Sequence, residues 1–111
     1  MRQRNELVKN SIDSLLLCLI GERPMYGYQI IKELDDKSQG YFKYKEGTLY
    51  PALHRLENAG LLKGEWKTTS SGRQRRYYHI TLRGSNILAE RRVQWSDFLS
   101  AMNMIIKPVS L

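Results

Sequence analysis

The chain has 111 residues and a mass of 13.0 kDa; 41% of its residues are hydrophobic, 26% are charged, and its formal net charge is +7. A chain of this length forms one domain with a modest core, which excludes a domain pair or a barrel enzyme. The longest unbroken apolar run, residues 15–20, is too short to cross a bilayer, and the N-terminus lacks the apolar core of a signal peptide. We therefore expect a soluble cytoplasmic protein that contacts no membrane and keeps its single Cys18 reduced.

The first third of the chain predicts two helices. Apolar side chains recur at three and four residues between Leu7 and Ile20, and Gly21 and Pro24 then end the first helix. A second helix is predicted from about Tyr26 to Lys37. Tyr28 lies near the apolar stripe of this helix, so we expect it in the core.

A third helix is predicted from about residue 47 or 48 to Asn58, because leucines recur at i, i+4 and i+7 from Leu49. Pro51 is tolerable only in the first turn, where backbone N–H groups are unpaired anyway. The opposite face carries hydrogen-bonding groups and one cation with little reason to be buried: Thr48, Tyr50, Pro51, His54, Arg55 and Asn58.

From Leu61 the period of the pattern changes to two, which predicts a two-stranded β-hairpin joined by residues 69–72. Residues 73–76 at its tip hold three arginines in four positions, and a tip that buries nothing has no folding reason for them. Trp66 is expected to pack within the hairpin and His79 to lie on its surface.

Thr81 can cap a last helix, predicted from about Leu82 to Ile106, before Pro108 prevents its extension. At 1.5 Å per residue this helix would be about 37 Å long, which is more than the small core can cover. An apolar stripe with a seven-residue spacing follows it: Leu88, Trp95, Phe98, Met102 and Ile105. Such a stripe most simply packs against a second copy of the chain; the alternative is that the helix folds back on the first helix.

The order of these elements predicts a mainly α fold with a two-stranded β-hairpin wing, the winged helix-turn-helix. We place the DNA-binding part at residues 1–83 and a C-terminal dimerisation helix at residues 84–111, in one compact unit. Residues 41–83 contain nine basic and three acidic side chains interleaved with tyrosines, as expected of a nucleic-acid contact. The alternative is a solvated basic face without a partner.

Three segments resemble, in order and spacing, the signature segments of PadR-type transcriptional regulators. They are MYGYQIIKEL at 25–34, EGTLYPALHRLENAGLL at 46–62 and SGRQRRYYHITLRG at 71–84. The resemblance covers about residues 7–84. It implies a cytoplasmic, homodimeric DNA-binding repressor of bacteria that a small molecule or a stress signal releases from DNA.

The resemblance also implies which positions contact DNA. They are the recognition-helix residues Thr48, Tyr50, Pro51, His54 and Arg55, the supporting-helix residues Tyr26 and Gln29, and the wing-tip residues Arg73 and Arg75 around Gln74. Gln74 departs from the family pattern, which often has proline there. From charge alone, Lys43, Lys45 and Arg76 are further candidates for phosphate contacts.

Small side chains on the first helix predict a possible effector pocket. Leu7, Ser11, Ser14 and Cys18 recur at i, i+4, i+7 and i+11. If this stripe faces the last helix, Trp95 from each chain would wall a flat cavity for a planar aromatic effector. Asp13, Phe98 and Leu99 would lie nearby, a placement that resembles family members binding drug-like aromatics between subunits; the alternative is plain close packing.

With two histidines and one cysteine, the sequence offers neither a metal site nor a nucleophile with its base, so we expect no enzyme and no cofactor. The expected function is a sequence-specific, ligand-responsive homodimeric repressor on a palindromic operator. Two alternatives stay open: a winged-helix module that binds a protein through the same face, and a nucleic-acid coat without sequence preference, whose affinity would fall steeply with salt.

Overall fold

The computed structural model describes residues 7–106 of the chain, and the predicted positions outside that range, Pro108 included, lie outside the described residues. A helical turn at residues 7–9 comes first. The elements that follow are α1 (Ser11–Glu22), β1 (Met25–Tyr26), α2 (Gly27–Lys37), α3 (Glu46–Asn58), β2 (Leu62–Thr68), β3 (Gln74–Ile80) and α4 (Leu82–Ile105). This order of helices and hairpin is that of the predicted winged helix-turn-helix.

The sheet has three antiparallel strands in the order β1-β3-β2, one more than the predicted hairpin. In the additional strand, Met25 pairs with Tyr78 and Tyr26 with Tyr77. Two residues are too few to display an alternating pattern, which is why periodicity missed this strand. It ties the start of α2 to the hairpin, so the supporting helix and the wing share one sheet.

The core lies where α1, α2, α3 and the hairpin meet. Fully buried side chains come from all of them, including Leu17, Ile30, Leu53 and Tyr78. The prediction that Tyr28 is also in the core is wrong, because this side chain is 66% exposed. Tyr28 precedes the buried Ile30 by two residues, and two residues turn an α-helix by about 200°.

Two helix boundaries differ from the predictions. Helix α1 begins only at Ser11, after a turn at Asn10, and it continues through Gly21. Helix α3 begins at Glu46, which places Pro51 in the second turn rather than the first. There the proline ring removes one helical hydrogen bond, to the carbonyl of Gly47.

Helix α4 begins firmly anchored in the core. The Gly84 N–H donates to the Thr81 hydroxyl at 3.0 Å, the predicted cap, and a Cβ on Gly84 would overlap the Leu61 carbonyl. Leu88, which was predicted in the dimer stripe, is instead buried in the core of its own chain, because α4 packs along α1 over this stretch. The rest of α4 projects beyond the core, and the molecule measures 52 × 33 × 23 Å. None of the described helices is both long enough and apolar enough to span a membrane.

Candidate nucleic-acid interface

Helix α3 turns its apolar side toward the core and its polar side outward. Leu49 and Leu53 are fully buried, whereas Thr48, Pro51 and His54 are exposed. The structure therefore presents the predicted polar face of α3 to the outside. No hydrogen bond within the described residues occupies the side chains of Thr48 or His54, which leaves them available to a ligand.

The side chain of Tyr50 contacts the start of α2. Its ring lies across the backbone of Gly27 at the start of α2, where a Cβ would overlap the tyrosine hydroxyl. Glycine is therefore required at position 27 for Tyr50 to occupy this place. The contact joins α3 to the first turn of α2.

Arg55 has an internal partner. Its guanidinium donates to the Asp13 carboxylate of α1 at 3.0 Å, and the side chain of Asp13 is only 10% exposed, against 57% for Arg55. Asp13 is predicted near an effector cavity, but its carboxylate is directed toward α3 and the residue does not line the cavity between α1 and α4. Arg55 keeps part of its guanidinium at the surface but is also needed to neutralise a buried charge.

The start of α2 is organised by Tyr26 and Gln29. The Gln29 side-chain carbonyl accepts a hydrogen bond from the Tyr26 N–H at 3.2 Å, which is one half of a capping box. The Arg75 guanidinium lies 4.4 Å from the centre of the Tyr26 ring, and Tyr77 contacts the same ring edge-on at 5.3 Å. Arg75 is therefore oriented by a cation–π contact rather than disordered at the wing tip.

The turn between β2 and β3 presents the end of the wing. The Thr69 N–H donates to the Arg73 carbonyl at 2.7 Å and the Gly72 N–H to the Thr69 carbonyl at 2.9 Å. Gly72 has a φ of +84°, which a residue with a side chain rarely adopts. Arg73 and Gln74 are both exposed beyond this turn.

Arg76, a predicted phosphate contact, has a different position. It donates to the Glu57 carboxylate of α3 at 2.7 Å and lies over the rings of Trp66 and Tyr78. Trp66 was expected to pack within the hairpin but is 60% exposed, with Arg76 against its ring. His79 lies half-buried on β3, with its Nε2 3.4 Å from the Glu65 carboxylate.

A crevice of about 390 Å³ separates the recognition helix from the wing. Six of the residues predicted to contact DNA line it: Tyr26, Tyr50, His54, Gln74, Arg75 and Arg76. Lys43 and Lys45 are exposed in the segment before α3, outside the crevice, and Arg73 lies beyond it at the wing tip. Charged and polar groups from β1, α3 and the wing therefore converge on one concave surface.

A second cavity, of about 680 Å³, lies between α1 and α4. Four of the six predicted pocket residues line it: Ser14, Cys18, Trp95 and Leu99. Phe98 does not, because it lines a separate groove with Met102 and Ile105. Phe42, in the segment before α3, was not predicted and completes the wall.

The cavity between α1 and α4 is largely apolar, but Arg91 and Arg92 line it, and none of the described acidic residues does. Burial raises the pKa of the Cys18 thiol, while the nearby Arg92 partly opposes that increase. The indole N–H of Trp95 is buried and has no hydrogen-bond partner among the described residues. Within those residues, no group of three or more His, Cys, Asp or Glu side chains is placed to hold a metal ion.

Comparison with known proteins gives a consistent result. The profile of the transcriptional regulator PadR-like family matches residues 16–90. The transcriptional regulator Rv3488 of Mycobacterium tuberculosis is 39% identical over 71 residues, which cover 64% of this chain and 63% of that protein.

Two solved structures have closely similar folds. A transcriptional regulator from Clostridium thermocellum is 29% identical with a TM-score of 0.80, covering 92% of this chain and 99% of that one. A PadR-like regulator from Bacillus cereus is 28% identical with a TM-score of 0.79, covering 94% and 99%. These proteins are transcriptional regulators and not enzymes.

Proposed function

The chain belongs to the PadR-like family of transcriptional regulators, and we propose that it acts in the cytoplasm as a homodimeric repressor of a palindromic operator. The observation that supports this most is the crevice between α3 and the wing, where side chains from three elements converge. Membership of the family implies regulation by DNA binding. Repression, dimerisation and a response to a ligand are what we propose beyond family membership.

In the proposed complex α3 enters the major groove and the wing reaches the adjacent backbone. Thr48, Pro51 and His54 are exposed on α3 and can contact base edges. Arg73 and the two exposed lysines, Lys43 and Lys45, supply charge to phosphates without reading sequence. A dimer would place two copies of α3 about 34–36 Å apart, one turn of DNA.

The proposed dimer uses the distal half of α4. Leu99, Met102, Ile105 and Ile106 are 40–84% exposed there in the single chain. Exposed apolar patches of this kind in a small protein mark an interface. A second copy of α4 packed along this stripe is the occupant that we propose.

The proposed effector is a planar aromatic molecule bound in the cavity between α1 and α4, beside Trp95. Two arginines, with no acidic residue among the described part of its wall, favour an aromatic anion over an aromatic cation. Phe42 connects this site to α3. Its ring stacks on that of Tyr44, with the ring centres 6.0 Å apart, and Tyr44 directly precedes Lys45, the N-cap residue of α3. A ligand that displaces Phe42 would thus alter the placement of α3 and favour a dimer spaced wrongly for DNA.

A fluorescence-anisotropy titration with DNA from upstream of the protein's own gene tests DNA recognition, at about 150 mM salt and with excess random competitor. We expect tight binding to this DNA that resists the competitor. Equal, steeply salt-dependent binding to every sequence would support a nucleic-acid coat instead. Absence of DNA binding altogether would support a protein-interaction module.

The effector is tested separately by titrating aromatic carboxylates and aromatic cations while the tryptophan emission is recorded. A ring stacked on Trp95 should quench it, and the quenching should be lost in Trp95→Ala. Trp66→Ala is the matched control, because Trp66 lies on the hairpin, remote from this cavity. Quenching that persists in Trp95→Ala, or none with any compound, would contradict the proposed site.

A further inference from the structure

The contact between the wing and the recognition helix is built on one carboxylate. Glu57, near the end of α3, accepts two hydrogen bonds through the same oxygen: from the Arg76 guanidinium of β3 at 2.7 Å and from the Gly64 N–H of β2 at 3.1 Å. One side chain thus connects α3 to both strands of the hairpin. The side chains of Glu57 and Arg76 are only 27% and 30% exposed, so water competes weakly for this pair.

The hairpin is shaped to allow this contact. Arg76 lies opposite Trp66 in the strand register, and its guanidinium is 5.4 Å from the centre of the Trp66 ring and 5.9 Å from that of Tyr78. To reach Glu57 it passes over Gly64, where a Cβ would lie only 2.5 Å from the guanidinium carbon. Any larger residue at position 64 would therefore displace Arg76.

Neither helix stability nor DNA affinity explains the carboxylate at position 57. A negative charge in the last turn of a helix opposes the helix dipole and is unfavourable there. A negative charge beside a DNA-binding surface also repels phosphates. Pairing with Arg76 and Gly64 is the remaining role that the structure offers for it.

We propose that Glu57 is a positioning residue that, with Arg76 and Gly64, fixes the angle between the wing and the recognition helix. With this angle fixed, the position of α3 on DNA determines which phosphates Arg73 and Arg75 can reach. Arg76 is thereby assigned to the wing's attachment and not to the DNA backbone. This inference rests on the proposed function, since it concerns how the wing of the same DNA-binding surface is held.

The first test compares Glu57→Gln with Glu65→Gln in operator affinity. Glu65 is a hairpin carboxylate outside the contact with Arg76, so both variants remove one negative charge from the hairpin region, and only the first loosens the wing. We expect Glu57→Gln to lower operator affinity about tenfold, the scale of coupling between contacting residues, while Glu65→Gln leaves it unchanged or raises it. Gly64→Ala should resemble Glu57→Gln. An equal rise in affinity for both glutamine variants would overturn the proposal, because Glu57 would then act only as a charge.

A double-mutant cycle separates positioning from a general loss of structure. In a background with Arg73→Ala and Arg75→Ala the wing loses its two cationic contacts with DNA, so Glu57→Gln should lower affinity by less than about twofold there. An undiminished tenfold loss in that background would show that Glu57 acts through α3 or the fold and would overturn the proposal. If the two wing arginines themselves prove irrelevant to operator binding, the proposed function of the wing fails instead.

A measurement without DNA tests directly whether Glu57 holds the wing. Amide hydrogen exchange in β2 and β3 should become faster in Glu57→Gln and Gly64→Ala than in the wild type and Glu65→Gln, with the exchange of α1 unchanged. Unchanged exchange in the hairpin would show that Glu57 does not hold the wing.

Discussion

The two ends of helix α4 differ sharply in how the rest of the chain covers them. Near its start, Gly84 touches the backbone at Leu61 and Leu88 is 8% exposed, whereas Ile105 at its other end is 84% exposed. The first end completes a core that α1, α2, α3 and the hairpin share. The second end has the same apolar character but no partner among the described residues. One helix thus has a start that packs inside the chain and a distal end that the proposed second copy of the chain would cover.

The largest expected effect lies inside the core. Leu53→Ala removes a fully buried side chain of α3 and should lower the free energy of unfolding by about 2–5 kcal/mol, through lost burial and the cavity left behind. Chemical denaturation followed by circular dichroism measures this loss. Because Leu53 packs within its own chain, the loss should be the same at low and high protein concentration.

Leu82→Ala is the matched control for Leu53→Ala. Leu82 is 81% exposed at the start of α4, so its replacement should change the free energy of unfolding by less than about 0.5 kcal/mol. A large loss of unfolding free energy in Leu82→Ala, or a loss in Leu53→Ala that depends on protein concentration, would contradict the assignment of Leu53, and not of Leu82, to the core of the single chain.

A substitution at the distal end of α4 should weaken dimerisation and leave the stability of the single chain unchanged. Ile105→Glu places a charge in the exposed stripe and should weaken dimerisation by about 2 kcal/mol or more, roughly a 30-fold rise in the dissociation constant, with the fold of each chain intact. Sedimentation velocity over a concentration series measures the shift. Met104→Glu is the control, because Met104 is equally exposed, at 83%, but lies about 200° around the helix from Met102. Dissociation by both variants, or by neither, would contradict the proposed stripe.

An intermediate effect is expected at the ion pair that joins α1 to α3. Arg55→Met leaves the buried Asp13 carboxylate without its partner and should lower the free energy of unfolding by about 1–3 kcal/mol. The figure is below that for a fully buried pair, because the Arg55 side chain is more than half exposed. Thermal denaturation at neutral pH provides the measurement.

The double variant Asp13→Asn with Arg55→Met shows whether the unpaired charge causes that loss. It should be more stable than Arg55→Met alone, since no buried charge remains without a partner. Equal stability of the two would show that Arg55 contributes through packing alone.

The sequence predicted the helices and the hairpin well because each has a long, regular pattern. Leu49 was placed correctly in the core by its position in a leucine stripe, whereas Tyr28 was misplaced, since closeness to a stripe in sequence does not define the face of a helix. The strand Met25–Tyr26 is too short for any period to reveal it. Local pattern therefore predicted the elements but not every side chain's face.

The candidate site was harder to predict, because charge alone does not say which partner a side chain has. Arg75 and Arg76 are adjacent arginines in the same strand, yet one lies on Tyr26 and the other on Glu57. The alternation of a strand puts neighbours on opposite faces, which was the available signal that the two could not share a role. The partner Asp13 of Arg55 is 42 residues away along the chain, and nothing in the sequence connects them.

The smallest expected effect is on the rate at which Cys18, in the cavity between α1 and α4, is alkylated. Because burial raises the pKa of this thiol, a smaller fraction is thiolate near pH 8 than for an ordinary cysteine, so alkylation by iodoacetamide should be slower and should accelerate as the pH rises. Because Leu99 of the proposed dimer stripe lines the same cavity as Cys18, a second copy of α4 packed on that stripe would restrict access to the thiol. Alkylation should therefore be several-fold faster in the monomeric Ile105→Glu variant than in Met104→Glu. If both variants react at the wild-type rate, the second chain does not cover this cavity, and the dimer must use the end of α4 alone.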